Sequence, residues 1–201
     1  MNIHSHVATQ TAQPAREDKR QAILDAALEL FVERGYHGTA VPEVAVRARV
    51  GAGTIYRYFA SKEALVNQLY RERKQELGTR LLEGFPARAP ARDQFGELWR
   101  RMMAFARENP RAWAFLELHH HADYLDEQSR AIERQIDQGA EALLRSVQAR
   151  GEVKNLEPSL LVGIVLGAFV GVVRAAWEGR IPLSDDQVAA AEACCWEAIR
   201  A

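Results

Sequence analysis

"VGAGTIYRYFASKEAL", residues 50–65, sets two tyrosines, an arginine, a lysine and two glycines side by side. A buried helix has no use for that charge, and a solvated helix has no use for the aromatics. Spacing separates the two demands. Ile55 and Phe59 stand four apart and form the inward pair of a short helix expected from about 52 to 58. Tyr56, Arg57, Tyr58 and Lys62 are then left for something outside the fold. Ser61 is placed to cap the following helix, with Glu63 in a first turn whose dipole favours an acid.

Upstream, Ile23, Leu24, Ala27, Leu28 and Phe31 recur at three- and four-residue steps and give one helix an apolar face. Gly35 is its stop signal. Thr39 is the expected cap of the next helix, Pro42 lies in its first turn, and Val44, Ala45 and Ala48 form its inner side. Residues 49–51 break it. Residues 1–15 are polar and aperiodic, and are expected to form a disordered arm.

A longer helix backing two short ones around a tight turn is the architecture of a helix-turn-helix DNA reader, with residues 16–61 as its domain and 62–201 as a second. Each position has a physical use there. Gly53 lets backbone approach a phosphate, and the N–H groups opening its helix favour an anion. Thr54 suits a phosphate or a thymine methyl. Tyr56 faces base edges or packs on the domain surface. Arg57 reads guanine with both arms or makes one more phosphate contact. Tyr58 and Lys62 suit the neighbouring backbone, one by its hydroxyl and one as a point charge.

Residues 22–70, "AILDAALELFVERGYHGTAVPEVAVRARVGAGTIYRYFASKEALVNQLY", closely resemble the DNA-binding domain of the tetracycline-repressor (TetR) family. The resemblance is carried by three motifs in register: F-x-x-x-G-Y-x-x-T, then V-x-x-G-T-I-Y-x-Y-F, then S-K-E-x-L. It implies phosphate contacts at Thr39, Thr54, Tyr58 and Lys62, and base contacts at Tyr56 and Arg57. One departure stands out. Family members usually carry glycine where this chain has Arg49. A left-handed non-glycine residue there costs about 1 kcal/mol, which a phosphate contact by Arg49 would compensate; otherwise the turn is built differently.

The remainder fits that frame without proving it. Net charge is −1, yet residues 1–75 hold 11 Lys/Arg against 8 Asp/Glu, and residues 76–201 hold 15 against 19. A basic front and an acidic back suit one DNA-facing end, although chance fluctuation gives the same balance. Residues 1–15 hold no apolar signal segment, and a cytoplasmic protein is expected. The most apolar run, 160–173, is 14 residues long, against the ~20 needed to span a bilayer; no membrane role is expected. Adjacent Cys194 and Cys195 are read as reduced packing residues.

An all-α fold of about nine helices follows, with later helices expected at 62–83, 93–107, 111–121, 127–150, 158–178 and 185–199. Gly163, Gly167 and Gly171 form a smooth stripe on one of them. The stripe serves close packing within the chain or, as the resemblance implies, a homodimer through the last two helices, with Cys194 at that interface. A two-fold dimer would read palindromic operator half-sites about 34 Å apart in double-stranded DNA.

Trp99, Met103, Trp113, Phe169 and Trp177 are core or the wall of an apolar pocket. Similar proteins bind a small inducer in this region, and His119 or His120 is a candidate hydrogen-bond partner for it. Consecutive helical residues point about 100° apart, so the three histidines 119–121 cannot share one ion, and no metal or cofactor is called for. No nucleophile–base pair or phosphate loop supports the rival reading of an all-α enzyme. The other rival is a regulator that answers to a protein partner. In the leading expectation a ligand shifts the DNA-bound population, with the helix 62–83 as the connection between the reader and the second domain.

Overall fold

The computed structural model describes residues 12–118, 121 and 123–201. Among the described residues nine α-helices form and no strand does, apart from an isolated antiparallel bridge between Val153 and Arg200. The chain divides into two compact units, Met1–Leu69 and Tyr70–Ala201. That boundary falls inside the fourth helix, later than the break expected at 61/62. The physical reason is that the first turns of that helix carry Leu65, Val66 and Leu69, all fully buried.

In the first unit α1 spans Ala12–Arg34. It begins four residues before the end of the expected arm, so residues 12–15 are helical, while 1–11 lie outside the described residues. Its buried side is Ile23, Leu24, Ala27, Leu30 and Phe31. Gly35 ends it at φ +70, with its N–H donating to the Phe31 carbonyl at 2.9 Å. The chain then folds back so tightly that a Cβ on Gly38 would stand 2.3 Å from the Arg34 carbonyl oxygen.

The second helix, α2, spans Val41–Arg47. Its N-cap is Ala40, which corrects the expectation for Thr39. The Glu43 carboxylate reaches back and accepts from the Ala40 N–H at 3.1 Å, which does the work a capping hydroxyl would do. Thr39 is buried, and its hydroxyl shares one proton between the Gly35 carbonyl at 2.9 Å and the Leu30 carbonyl at 3.1 Å. It fastens the α1–α2 connection. The third helix, α3, is a single turn, Ala52–Ile55; residues 56–58, expected as helix, continue it as a turn. In α4, Lys62–Leu82, the Ser61 hydroxyl accepts from the Ala64 N–H at 3.2 Å, the cap read from the sequence.

The second unit holds the rest of α4 with α5 (Ala91–Glu108), α6 (Pro110–Leu118), α7 (Glu127–Ala149), α8 (Pro158–Trp177) and α9 (Asp185–Ile199). Asp126 caps α7 by accepting from the Ser129 N–H at 2.8 Å, and Ser184 caps α9. Phe95, Trp99, Met103 and Ala106 bury one side of α5. Phe169 of α8 stands edge-on between Trp99 and Trp113, with ring centroids 5.0 and 5.2 Å away. Tyr70, also buried, donates its hydroxyl to Glu133, and Lys74 pairs with Glu117 at 2.8 Å.

Replacing Gly38 with alanine should cost about 1–3 kcal/mol, the usual penalty of forcing an atom into filled space. Urea unfolding of the full chain measures it, and an unchanged midpoint would show that the α1–α2 connection yields without cost.

Candidate nucleic-acid interface

Four short segments meet at one surface of the first unit: α2, its turn, α3 and the start of α4. What orients them is burial. Ile55 and Phe59 are 1% and 5% exposed, so the one-turn helix between them has a fixed inner side. Tyr56, 56% exposed, and Arg57 lie on the other. The pairing rule read from the sequence therefore holds, although the helix itself is shorter than expected.

The turn is the departure foreseen at Arg49. Its φ is +55, making it the non-glycine residue with positive φ among those described. The turn is closed by the Arg49 N–H donating to the Val46 carbonyl at 3.1 Å and the Val50 N–H donating to the Ala45 carbonyl at 3.0 Å. A side chain with a Cβ is held there in the left-handed region, and its guanidinium is exposed.

From the end of α1 to the start of α4, the arginines and the lysine sort into two sets. Arg34 pairs with Glu43 at 2.7 Å, and Arg47 is held by Glu29 at 2.8 Å and Glu33 at 3.4 Å. These carry their own counter-charges and brace α1 against α2. Arg49, Arg57 and Lys62 have no ion pair among the described residues. All three come from the turn, α3 and the start of α4. Lys62 instead sets its ammonium 4.2 Å above the centroid of the Tyr36 ring, and burial lowers its pKa. Arg16 lies 5.8 Å over the Tyr58 ring, tying that tyrosine to α1.

Gly53 meets nothing within 4 Å at a Cβ position, so the outer side of α3 is open to backbone approach. Thr54 is half-buried on the same turn. Thr39 is the exception among the expected contacts, since its hydroxyl is spent inside the fold. Tyr36, Arg47 and Arg16 were not singled out by the sequence. For Tyr36 the signal was present, as its place in G-Y-x-x-T; for Arg47 and Arg16 only the folded geometry shows their partners.

In the second unit Trp99, Met103, Trp113 and Phe169 are all buried as one packed cluster, while Trp177 is 38% exposed. His119 and His120 lie outside the described residues. His121 is buried, with Nε2 against the Phe115 carbonyl and Nδ1 accepting from the Tyr124 hydroxyl at 2.8 Å. No group of three His, Cys, Asp or Glu able to hold a metal occurs among the described residues. Gly163, Gly167 and Gly171 are exposed, and a Cβ on any of them would meet nothing within 4 Å among the described residues. Cys194 is exposed and Cys195 buried. By length and composition α8 is apolar enough to cross a membrane.

Two family descriptions match the chain from residue 23 onward: "Bacterial regulatory proteins, tetR family" over residues 23–69, and "Tetracyclin repressor-like, C-terminal domain" over residues 70–201. The chain belongs to the TetR family. Its fold is that of a TetR family transcription regulator from Marinobacter aquaeolei VT8, with a TM-score of 0.83 at 19% identity over 94% of this chain and 98% of that one. FadR from Bacillus subtilis, solved in complex with stearoyl-CoA, has a TM-score of 0.69 at 23% identity over 88% and 95%.

Among curated proteins, the fatty acid metabolism regulator protein of Bacillus subtilis is 35% identical over 79 residues, 39% of this chain. The alignment covers about two fifths of that relative's length, 41%.

The TetR turn in this chain stores strain that a glycine would release. Arg49→Gly should raise stability by a net of about 0.5–1 kcal/mol, the left-handed penalty less the extra freedom glycine has when unfolded. A urea midpoint that stays put or falls would show that the arginine side chain makes good its own cost within the fold.

Proposed function

We propose that this TetR-family chain is a sequence-specific DNA-binding repressor, a soluble cytoplasmic homodimer released from a palindromic operator by a small apolar or aromatic ligand. The observation that carries the DNA-binding part is the sorting of charge. Arg34 and Arg47, which brace the first unit, are paired with glutamates, whereas Arg49, Arg57 and Lys62, where the turn, α3 and α4 meet, have no ion pair among the described residues. Unpaired cations release counterions when they meet phosphates; cations already paired with carboxylates release fewer.

Within that reading Arg57 selects sequence by facing guanine, and Tyr56 with the Thr54 methyl gives apolar contact to thymine. Arg49, Tyr58 and Lys62 hold the backbone, with Gly53 allowing close approach. Thr39 shapes the connection behind them and touches no DNA.

The dimer rests on α8 and α9. An apolar helix with Leu160, Ile164 and Leu166 exposed, and three glycines facing open space, is unfinished as a monomer surface. Against intrachain packing, a Cβ on any of the three glycines would meet nothing within 4 Å among the described residues. A second copy accounts for the stripe, with Cys194 beside it on α9. The same face would also receive a different protein, which keeps the partner-controlled version in play; the oligomeric state separates the two.

For the ligand, support comes from the indole N–H groups of Trp99 and Trp113. Both are buried without a hydrogen-bond partner among the described residues, which costs about 1–3 kcal/mol for each unpaired group. A ligand with an apolar body and an acceptor oxygen would satisfy them while replacing contacts around Phe169. It shifts the DNA-bound population only by its difference in affinity for the two states.

Gel-shift titration against the natural upstream DNA and a scrambled duplex tests the reading, and uniform affinity for both would end its sequence-specific part. Arg57→Ala should lose about 1–3 kcal/mol and relax one operator position, while Lys62→Ala should weaken every sequence alike. Gly167→Leu should leave helix content intact and convert a sedimenting dimer to monomer; a dimer that persists would place the interface elsewhere.

A further inference from the structure

Tyr36 belongs to neither helix of the reader, yet it touches both charged residues that open α4. Its ring lies 4.2 Å beneath the Lys62 ammonium, and its hydroxyl donates to the Glu63 carboxylate at 2.7 Å. Lys62 and Glu63 are adjacent and oppositely charged. Left to themselves, two such side chains at a helix start can fold toward each other and cancel. Tyr36 separates them: the carboxylate goes to the phenol edge and the ammonium to the ring face.

The two anchors differ in consequence. A carboxylate neutralises a lysine; an aromatic face attracts it through the ring quadrupole and leaves its full charge in place. A lysine held this way has also lost rotamer freedom before any ligand arrives. The fixed α1–α2 connection, in which Gly35 and Thr39 flank Tyr36, holds the ring in place. The contrast with Arg47, clamped between two glutamates, is drawn within the same unit.

We propose that Tyr36 is a positioning residue for DNA binding: it holds Lys62 charged, ordered and apart from Glu63 so that the ammonium meets a backbone phosphate. This rests on the DNA-binding reading above and adds to it a residue with no DNA contact of its own.

The test uses the full chain and a 40-base-pair duplex of mixed sequence, so that no operator need be known. Affinity is measured against sodium chloride concentration for wild type, Tyr36→Phe, Tyr36→Leu, Lys62→Ala and the Tyr36→Leu/Lys62→Ala double variant. If each protomer of the dimer loses one phosphate contact, Lys62→Ala should flatten the slope of log K against log salt by roughly 1.8. Tyr36→Leu should weaken binding about two- to fivefold, the usual worth of such a ring contact, and flatten the slope in the same direction. Tyr36→Phe, which keeps the ring but loses the hydroxyl that holds Glu63, should fall between wild type and Tyr36→Leu, and the double variant should bind no worse than Lys62→Ala.

A second readout does not depend on DNA. The Lys62 ε-methylene protons should be shifted upfield by the ring in wild type and Tyr36→Phe, and should return to ordinary positions in Tyr36→Leu. Losses that add in the double variant, or an unshifted Lys62 methylene in wild type, would overturn the role of Tyr36 while leaving DNA binding intact. A wild-type protein that ignores the duplex, or a Lys62→Ala slope equal to wild type, would overturn the parent reading and this one together.

Discussion

The burial of Ile55 and Phe59 is the constraint on which the reader depends. A single helical turn has no stability of its own, because nucleation fixes several residues for one hydrogen bond. α3 is such a turn, Ala52–Ile55. It persists because two apolar side chains four apart are driven into the first unit, and their burial settles which way Tyr56 and Arg57 point. The neighbouring Arg49 turn and the Ser61 cap fix its two ends. Remove the apolar anchor and neither the strain at Arg49 nor the charge on Arg57 has a defined direction in which to act.

That arrangement explains why so much of the first unit was legible in the sequence. Period, stop and cap signals act locally: the Ile55–Phe59 pair, Gly35, Pro42 and Ser61 all do in the fold what their spacing implies. The left-handed Arg49 was legible too, as an arginine in a place that calls for glycine. Thr39 was misread because a hydroxyl before a helix has two uses. The nearby Glu43 took over the cap, and the free hydroxyl found carbonyls at the end of α1. Residues 12–15 were misread because a polar, aperiodic helix start looks like coil until the chain after it is known to be helical.

In the second unit the sequence supplied elements more readily than sites. α9 runs over the expected residues, and α5, α7 and α8 begin or end within two residues of expectation. Which large apolar side chains face the interior was a different question, since Trp99, Met103, Trp113 and Trp177 all suit a core or a pocket wall and are told apart by what surrounds them. Three turned inward, and Trp177, at the last turn of α8, stayed exposed. The candidate histidines 119 and 120 lie outside the described residues, whereas His121, which the sequence left without a role, is held at both ring nitrogens.

The glycine stripe shows how structure sharpens a pattern that sequence leaves double-valued. Four-residue spacing of small residues says that something comes close and leaves open what that is. The fold weighs against packing within the chain, because a Cβ on Gly163, Gly167 or Gly171 would meet nothing within 4 Å among the described residues. Three glycines in one helix cost about 0.8–1.0 kcal/mol each against alanine, and among the described residues no atom lies close enough to a Cβ there to require them. On the dimer proposed above, the return comes from outside the chain. A helix of a second copy, crossing at the stripe and covering Leu160, Ile164 and Leu166, would supply it. It would also bring two sets of Arg49, Arg57 and Lys62, none with an ion pair among the described residues, into one particle, an arrangement that suits a palindromic duplex.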